Sequence, residues 1–193
     1  MLILSQRTQL IIAAALVLLL IITRGHHFAG LHNLPSASTA VFLLAGIYLR
    51  PAWVFPALLT IAGGLDFAAV TWGGVSNFCV SPAYPLLIPA YAALWLAGRW
   101  YAKHYHFEWR TLLPLFAAML VGAVVCELFS SGGFYFLSGQ FTDTTLVEFG
   151  GRFATYFPFS LQSIVFYTAL ATVIHIIFTL LRGVSGQRGS VQS

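Results

Sequence analysis

The sequence predicts an all-α integral membrane protein with six transmembrane helices. Three observations carry that prediction. Of the 193 residues, 59% are hydrophobic and only 7% are charged, against roughly 25% charged in a soluble domain. Apolar runs near the length needed to cross a bilayer recur between breaks rich in Gly, Pro and polar residues. The few basic residues fall mainly on alternate loops, as the positive-inside rule requires. There is no basic stripe to neutralise phosphates, which excludes nucleic acid as a partner.

The predicted helices cover residues 8–23, 35–49, 52–71, 82–101, 111–130 and 156–181. The first follows Arg7 in the manner of a signal peptide. It has no small-residue cleavage site after it, so it reads as the first span. Ala13, Ala14 and Ala15 give it a small-residue patch suited to close helix contact. The second helix is short against the roughly 20 residues of a full crossing, and Arg50-Pro51 closes it. Its opening residues, Pro35 to Thr39, are small and polar, so it is expected to pack on protein rather than lipid. The transport unit is placed at residues 1–182. Residues 183–193, rich in Gly, Ser and Gln, read as a disordered cytoplasmic tail.

With the N-terminus inside, the cytoplasmic face holds Arg7, Arg50, Arg99, Lys103, Arg110, Arg182 and Arg188. Only Arg24 and Arg152 lie outside. That bias places both termini in the cytoplasm. The outer loops are then 26–33, 72–82 and a long 132–155 segment, and most of the unusual chemistry lies at this face. Within the spans, Asp66 falls about 8 Å short of the outer end of its helix and Glu127 about 5 Å, at 1.5 Å per residue. His175 falls at the opposite end.

Cys79, in the Trp72–Pro82 loop, is a candidate thiolate ligand or nucleophile; the alternatives are a small apolar filler or a disulfide with Cys126. His26, His27 and His32 can offer imidazoles to a metal ion, though their spacing matches no standard zinc pattern. Asp66 is a carboxylate inside a span, which is costly unless partnered. Its partners would be a loop histidine, Arg152, or an amide or hydroxyl of a ligand. Arg152 is the better candidate to clamp an anionic group, and Arg24 reads as a headgroup anchor. Trp72, Phe78, Tyr84, Tyr135 and Tyr156 can line a flat pocket or form an interfacial belt.

Six short helices with both ends inside, and a site roofed by the first, third and fifth loops, resemble the S-components of energy-coupling-factor (ECF) vitamin transporters. The segments His26-His27-Phe28-Ala29-Gly30-Leu31-His32-Asn33-Leu34-Pro35, Gly64-Leu65-Asp66 and Asn77-Phe78-Cys79-Val80-Ser81-Pro82-Ala83-Tyr84-Pro85 look like the BtuM group of cobalamin transporters. The resemblance implies cobalamin (vitamin B12) as bound substrate, with no other cofactor. It implies uptake across a bacterial inner membrane from a multi-pass protein whose site faces the periplasm. Cys79 would be the axial cobalt ligand of a base-off complex, since thiolate is a soft donor and only the axial positions of a corrin are open. His27, Asp66, Asn77, Phe78, Tyr84 and Arg152 would be the other ligand-binding residues. A thiolate on cobalt would also weaken an opposite cyanide, which makes Cys79 a candidate catalytic residue for decyanation. The Ala-x-x-x-Ala pattern expected of helices that dock on a shared ECF module is missing: Val17 follows Ala13 and Leu18 follows Ala14. There is no phosphate-binding Gly-x-x-x-x-Gly-Lys segment for ATP.

The nearest rival is a receptor for another vitamin or a transition-metal ion held by His26, His27 and His32. A thiol oxidoreductase lacks the paired cysteines that it needs. An intramembrane serine protease built on Ser130 and Ser131 would have its histidine, His175, at the wrong depth.

Overall fold

A computed structural model describes residues 4–24, 35–74 and 81–190, the last nine by backbone alone. The described residues contain helices and no strands. In order these are α1 (Gln6–Arg24), α2 (Ser38–Tyr48), α3 (Val54–Trp72), α4 (Leu87–His104), α5 (Leu112–Glu127), α6 (Gly133–Leu137) and α7 (Leu146–Ser190). Among the described residues four stretches are long and apolar enough to cross a membrane: Gln6–Arg24, Val54–Trp72, Trp109–Leu137 and Leu146–Leu181. The chain is thus an all-helical protein of membrane type.

Successive long helices run in alternate directions. The C-terminus of α1 meets the N-terminus of α2, where Arg24 Nη1 donates to Ser38 Oγ at 2.9 Å. The end of α2 meets the later turns of α4, where Arg99 Nη1 donates to the carbonyl of Arg50 at 2.7 Å. The bundle therefore has an Arg24 end and a Tyr48 end.

The core is organised around α2. Nearly every residue from Ser38 to Ile47 is buried, so this helix is apolar on all sides because it is wrapped by protein on all sides. Its packing on protein agrees with the sequence expectation. The backbone just before it is held by side chains from its neighbours. Thr23 Oγ1 accepts from the Ala37 N–H at 3.1 Å, Tyr167 Oη donates to the Pro35 carbonyl at 2.7 Å, and Ser163 Oγ donates to the Ser36 carbonyl. These bonds satisfy backbone polar groups at the helix entrance, where the chain passes from exposed Pro35 and Ser36 to buried Ala37.

Helices α2 and α4 touch backbone to backbone. A Cβ on Gly46 would lie 2.2 Å from the Trp95 carbonyl oxygen, and one on Gly98 would lie 2.2 Å from the Leu43 carbonyl oxygen. Only glycine permits this approach, the small-residue packing typical of membrane helices.

The fifth loop departs from its sequence expectation. The segment beginning at Gly132 was expected to be loop as far as residue 155. Instead α5 continues through a π-helical turn, Leu128–Gly132, into α6, and α7 already begins at Leu146. Gly132-Gly133 looks like a turn signal but serves packing here: a Cβ on Gly133 would lie 2.3 Å from Leu86 Cδ1. The true turn is at Gly139, with φ of 73°, in the left-handed region that glycine enters without steric penalty. The start of α7 carries half of a capping box, the Thr145 N–H donating to Tyr135 Oη at 3.1 Å instead of to Glu148. Thr145 Oγ1 accepts from the Glu148 N–H at 3.2 Å, in the Thr-x-x-Glu arrangement that marks a helix N-terminus. At its other end α7 runs on to Ser190, past the predicted stop at 181. Extending a formed helix adds one bond per residue without a new nucleus.

Candidate functional site

At the Arg24 end the helix ends enclose a cavity of about 680 Å³. That volume falls within the range of small-molecule sites. Five segments contribute to its wall: the end of α1 (Arg24), the later part of α3 (Asp66), the entry to α4 (Ser81, Tyr84, Tyr91), the π turn with α6 (Ser130 to Tyr135), and the first turns of α7 (Phe149, Arg152, Tyr156).

Arg24 and Asp66 form the polar floor. The guanidinium grips the carboxylate with two bonds, Nε to Oδ1 at 2.7 Å and Nη2 to Oδ2 at 2.6 Å. This fork is the strongest geometry an arginine offers. Arg24 Nη1 also donates to Tyr91 Oη at 2.8 Å, and Tyr84 Oη donates to Asp66 Oδ2 at 2.7 Å. The pair is largely removed from solvent, with side-chain exposures of 13% for Arg24 and 27% for Asp66. The intramembrane carboxylate thus has its partner, but not one that the sequence reading weighed for it. Arg24 points into the protein rather than out to headgroups, and Asp66, Ser38 and Tyr91 take four hydrogen bonds from it.

Arg152 sits across the cavity in a second ion pair. Its Nε and Nη2 donate to Glu148 Oε1 at 3.2 and 3.1 Å, one helical turn apart. Its guanidinium lies over the rings of Phe141, 4.7 Å from the centroid, and Tyr135, 5.3 Å away. Tyr135 Oη in turn donates to Glu148 Oε2 at 2.9 Å. Any anion that Arg152 clamps must compete with Glu148.

Glu127 is the second carboxyl group on the wall. It is only 7% exposed, more deeply placed than its sequence position near water implied. Hydroxyls hold it instead of a cation: Ser131 Oγ donates to Oε1, and Ser160 Oγ donates to Oε2 at 3.0 Å. Ser130 and Ser131 line the cavity from the π turn; such turns recur at functional sites. Ser130 Oγ bonds back to the Cys126 carbonyl at 2.8 Å.

The remaining wall is aromatic. Tyr135 stacks on Phe149 at 5.9 Å, and Phe153 on Phe157 at 4.8 Å. Of the aromatics singled out in the sequence, Tyr84, Tyr135 and Tyr156 line the cavity. Trp72 does not; it is 76% exposed and meets Phe67 edge-on at 6.3 Å.

Of the predicted ligand-binding residues, Asp66, Tyr84 and Arg152 all line this one cavity. His27, Asn77, Phe78 and Cys79 lie outside the described residues, as do His26 and His32. Cys126 is buried with a free thiol. Among the described residues, no group of three or more His, Cys, Asp or Glu side chains gathers as a metal-ion site. Arg24, Tyr91 and Glu127 complete the polar set, although sequence reasoning did not assign them to it. The signal for Arg24 was present: an intramembrane acid needs a cation, and only two basic residues fall at that end.

Among the described residues two ion pairs balance their own charges, and Glu127 is held by hydroxyls without a basic partner. The cavity is therefore suited to a ligand with hydrogen-bond donors or positive charge and a broad apolar surface. Fold and site together define a polytopic helical membrane protein with a mixed polar and aromatic cavity at one end. No protein-family profile matches the chain, and neither does any curated protein.

Proposed function

We infer that the chain is an S-component-like protein that binds cobalamin and carries it across a bacterial inner membrane, its six helices all crossing, its termini cytoplasmic and its cavity facing the periplasm. The observation that carries this reading is the convergence of Asp66, Tyr84 and Arg152 on one cavity. These three are separated in sequence; each is a candidate by its own chemistry, and the resemblance joins them into one site.

The chemistry of the wall agrees with a corrin. The ring's edge carries amides, whose N–H groups suit Asp66 and the cation-free carboxyl of Glu127. Its flat apolar faces suit the aromatic wall. The corrin ring is the part that the cavity takes, and the nucleotide arm extends beyond it. Cys79 stands two residues before the lining Ser81, a length of chain that spans at most about 7 Å. In this reading its thiolate bonds to cobalt, displaces the dimethylbenzimidazole base and promotes loss of cyanide from the opposite face.

The test is a visible spectrum of the purified protein with cyanocobalamin, paired with cobalamin-dependent growth of a strain that lacks its own inner-membrane importer. The expected result is a coloured protein with an altered cobalt spectrum in wild type, and loss of that change in Cys79→Ala. A wild-type protein that stays colourless and supports no growth overturns the proposal. Growth that persists in Cys79→Ser removes the thiolate from transport and confines it to processing.

A further inference from the structure

A second cavity, of about 300 Å³, lies at the Tyr48 end of the bundle. It is far from the first: α4 contributes Tyr91 to one and Tyr101 to the other. Its wall joins Tyr48 at the end of α2, Tyr105 just past α4, Leu115 of α5, and Thr168 and His175 of α7.

Two polar features make this more than a packing gap. Thr168 is only 2% exposed, and its Oγ1 is buried with no hydrogen-bond partner among the described residues. Buried hydroxyls are normally paired, and this one lines a cavity. The neighbouring Thr172 follows the usual helical habit, donating to the Thr168 carbonyl at 2.8 Å. One and two turns along the same face of α7, Thr172 and His175 follow Thr168. Tyr105 Oη and His175 Nε2 are 2.8 Å apart. Whichever atom donates, a neutral pair retains one further N–H or O–H to give.

The wall also says what the ligand is not. Among the described residues Glu108 is the one charged side chain on it, and no Lys or Arg lines it, so none of them offers a phosphate headgroup a counter-charge. An acyl chain offers no acceptor to Thr168. Aromatic rings supply flat surfaces: Tyr48 and Tyr105 lie 5.8 and 5.5 Å from the His175 ring. At the rim Phe107, Trp109 and Leu112 are 55%, 79% and 52% exposed, an apolar approach suited to entry from the bilayer.

We propose that this cavity binds a flat neutral ring bearing carbonyl oxygens, the chemistry of a quinone head group, with Thr168 and the Tyr105–His175 pair as hydrogen-bond donors. The site is independent of cobalamin, and so is its test. Equilibrium dialysis of the purified full chain in detergent uses 2,3-dimethyl-1,4-naphthoquinone, whose ring carbons are blocked against thiol attack. The comparison ligand is 2,3-dimethylnaphthalene, which has the same shape without the oxygens.

The expected result is saturable binding of one quinone per chain, with the hydrocarbon weaker by about fivefold or more, the worth of one ordinary hydrogen bond. Thr168→Val weakens quinone binding by about fivefold, and Thr168→Ser restores it. Tyr105→Phe gives a second loss should the valine variant fail to fold. Non-saturating uptake, equal affinity for the hydrocarbon, or folded Thr168→Val and Tyr105→Phe variants that bind as wild type each overturn the proposal.

Discussion

Arg24 and Asp66 are joined by two hydrogen bonds and shielded together, so neither can be removed without stranding the other. Truncating one member of such a pair leaves a buried charge uncompensated, at a cost of about 3–5 kcal/mol. Arg24→Met and Asp66→Leu should each lower stability on that scale in detergent. The double variant should cost less than the sum, with a coupling of about 1–3 kcal/mol. Thermal unfolding of the four proteins checks this, and strict additivity would show that the fork contributes no mutual energy. The same pair also shows how a residue is misread. A basic residue at the end of an apolar run is ordinarily an interfacial anchor. Nothing local to Arg24 reveals that Asp66, 42 positions away, shares its depth and side of the bundle.

At the scale of helices, the closest contact is that of α2 with α4, and it decides the sign of a glycine substitution. Gly→Ala within a helix ordinarily gains about 1 kcal/mol of propensity. At Gly98 the new Cβ would meet the Leu43 carbonyl oxygen at 2.2 Å, so the helices must part, and overpacking of this kind costs about 1–3 kcal/mol. Gly150, in the exposed first turns of α7, has nothing within 4 Å of the position its Cβ would take. Gly98→Ala should therefore destabilise the fold and Gly150→Ala should leave it unchanged or slightly firmer, both read by thermal unfolding. The existence of the long helices was legible because apolar runs between breakers are a strong signal. Their ends were less so. Ser130-Ser131-Gly132-Gly133 has the composition of a loop, yet the serines serve Glu127 and Gly133 serves Leu86, partners that come from packing rather than local sequence. The start of α7 was legible in principle through Thr145 and Glu148, a local capping signal. The site was legible where one residue type carried the chemistry, as at Asp66. It was partly legible at Glu127, a second acid inside a span, and not where a residue is recruited by the fold, as at Tyr91.

For the whole molecule, charge and structure can be combined into a test of orientation. Both basic residues at the Arg24 end, Arg24 and Arg152, are matched by carboxylates. The Tyr48 end holds Arg50, Arg99, Lys103 and Arg110, with Glu108 the acid nearest them in the chain. Net positive charge is therefore concentrated at the Tyr48 end even more strongly than a residue count implies, and positive charge is retained in the cytoplasm. Thr142, between α6 and α7, should then face the periplasm, and His106, between α4 and α5, the cytoplasm. Cysteines introduced as Thr142→Cys and His106→Cys, each in a Cys79→Ser background, report on this directly, since Cys126 is buried. A thiol reagent that cannot cross the membrane should label whole spheroplasts at 142 and not at 106, and should label 106 only after lysis. The reverse pattern inverts the orientation and turns the larger cavity toward the cytoplasm. Labelling of both positions in intact spheroplasts means that α5, which joins them, does not cross.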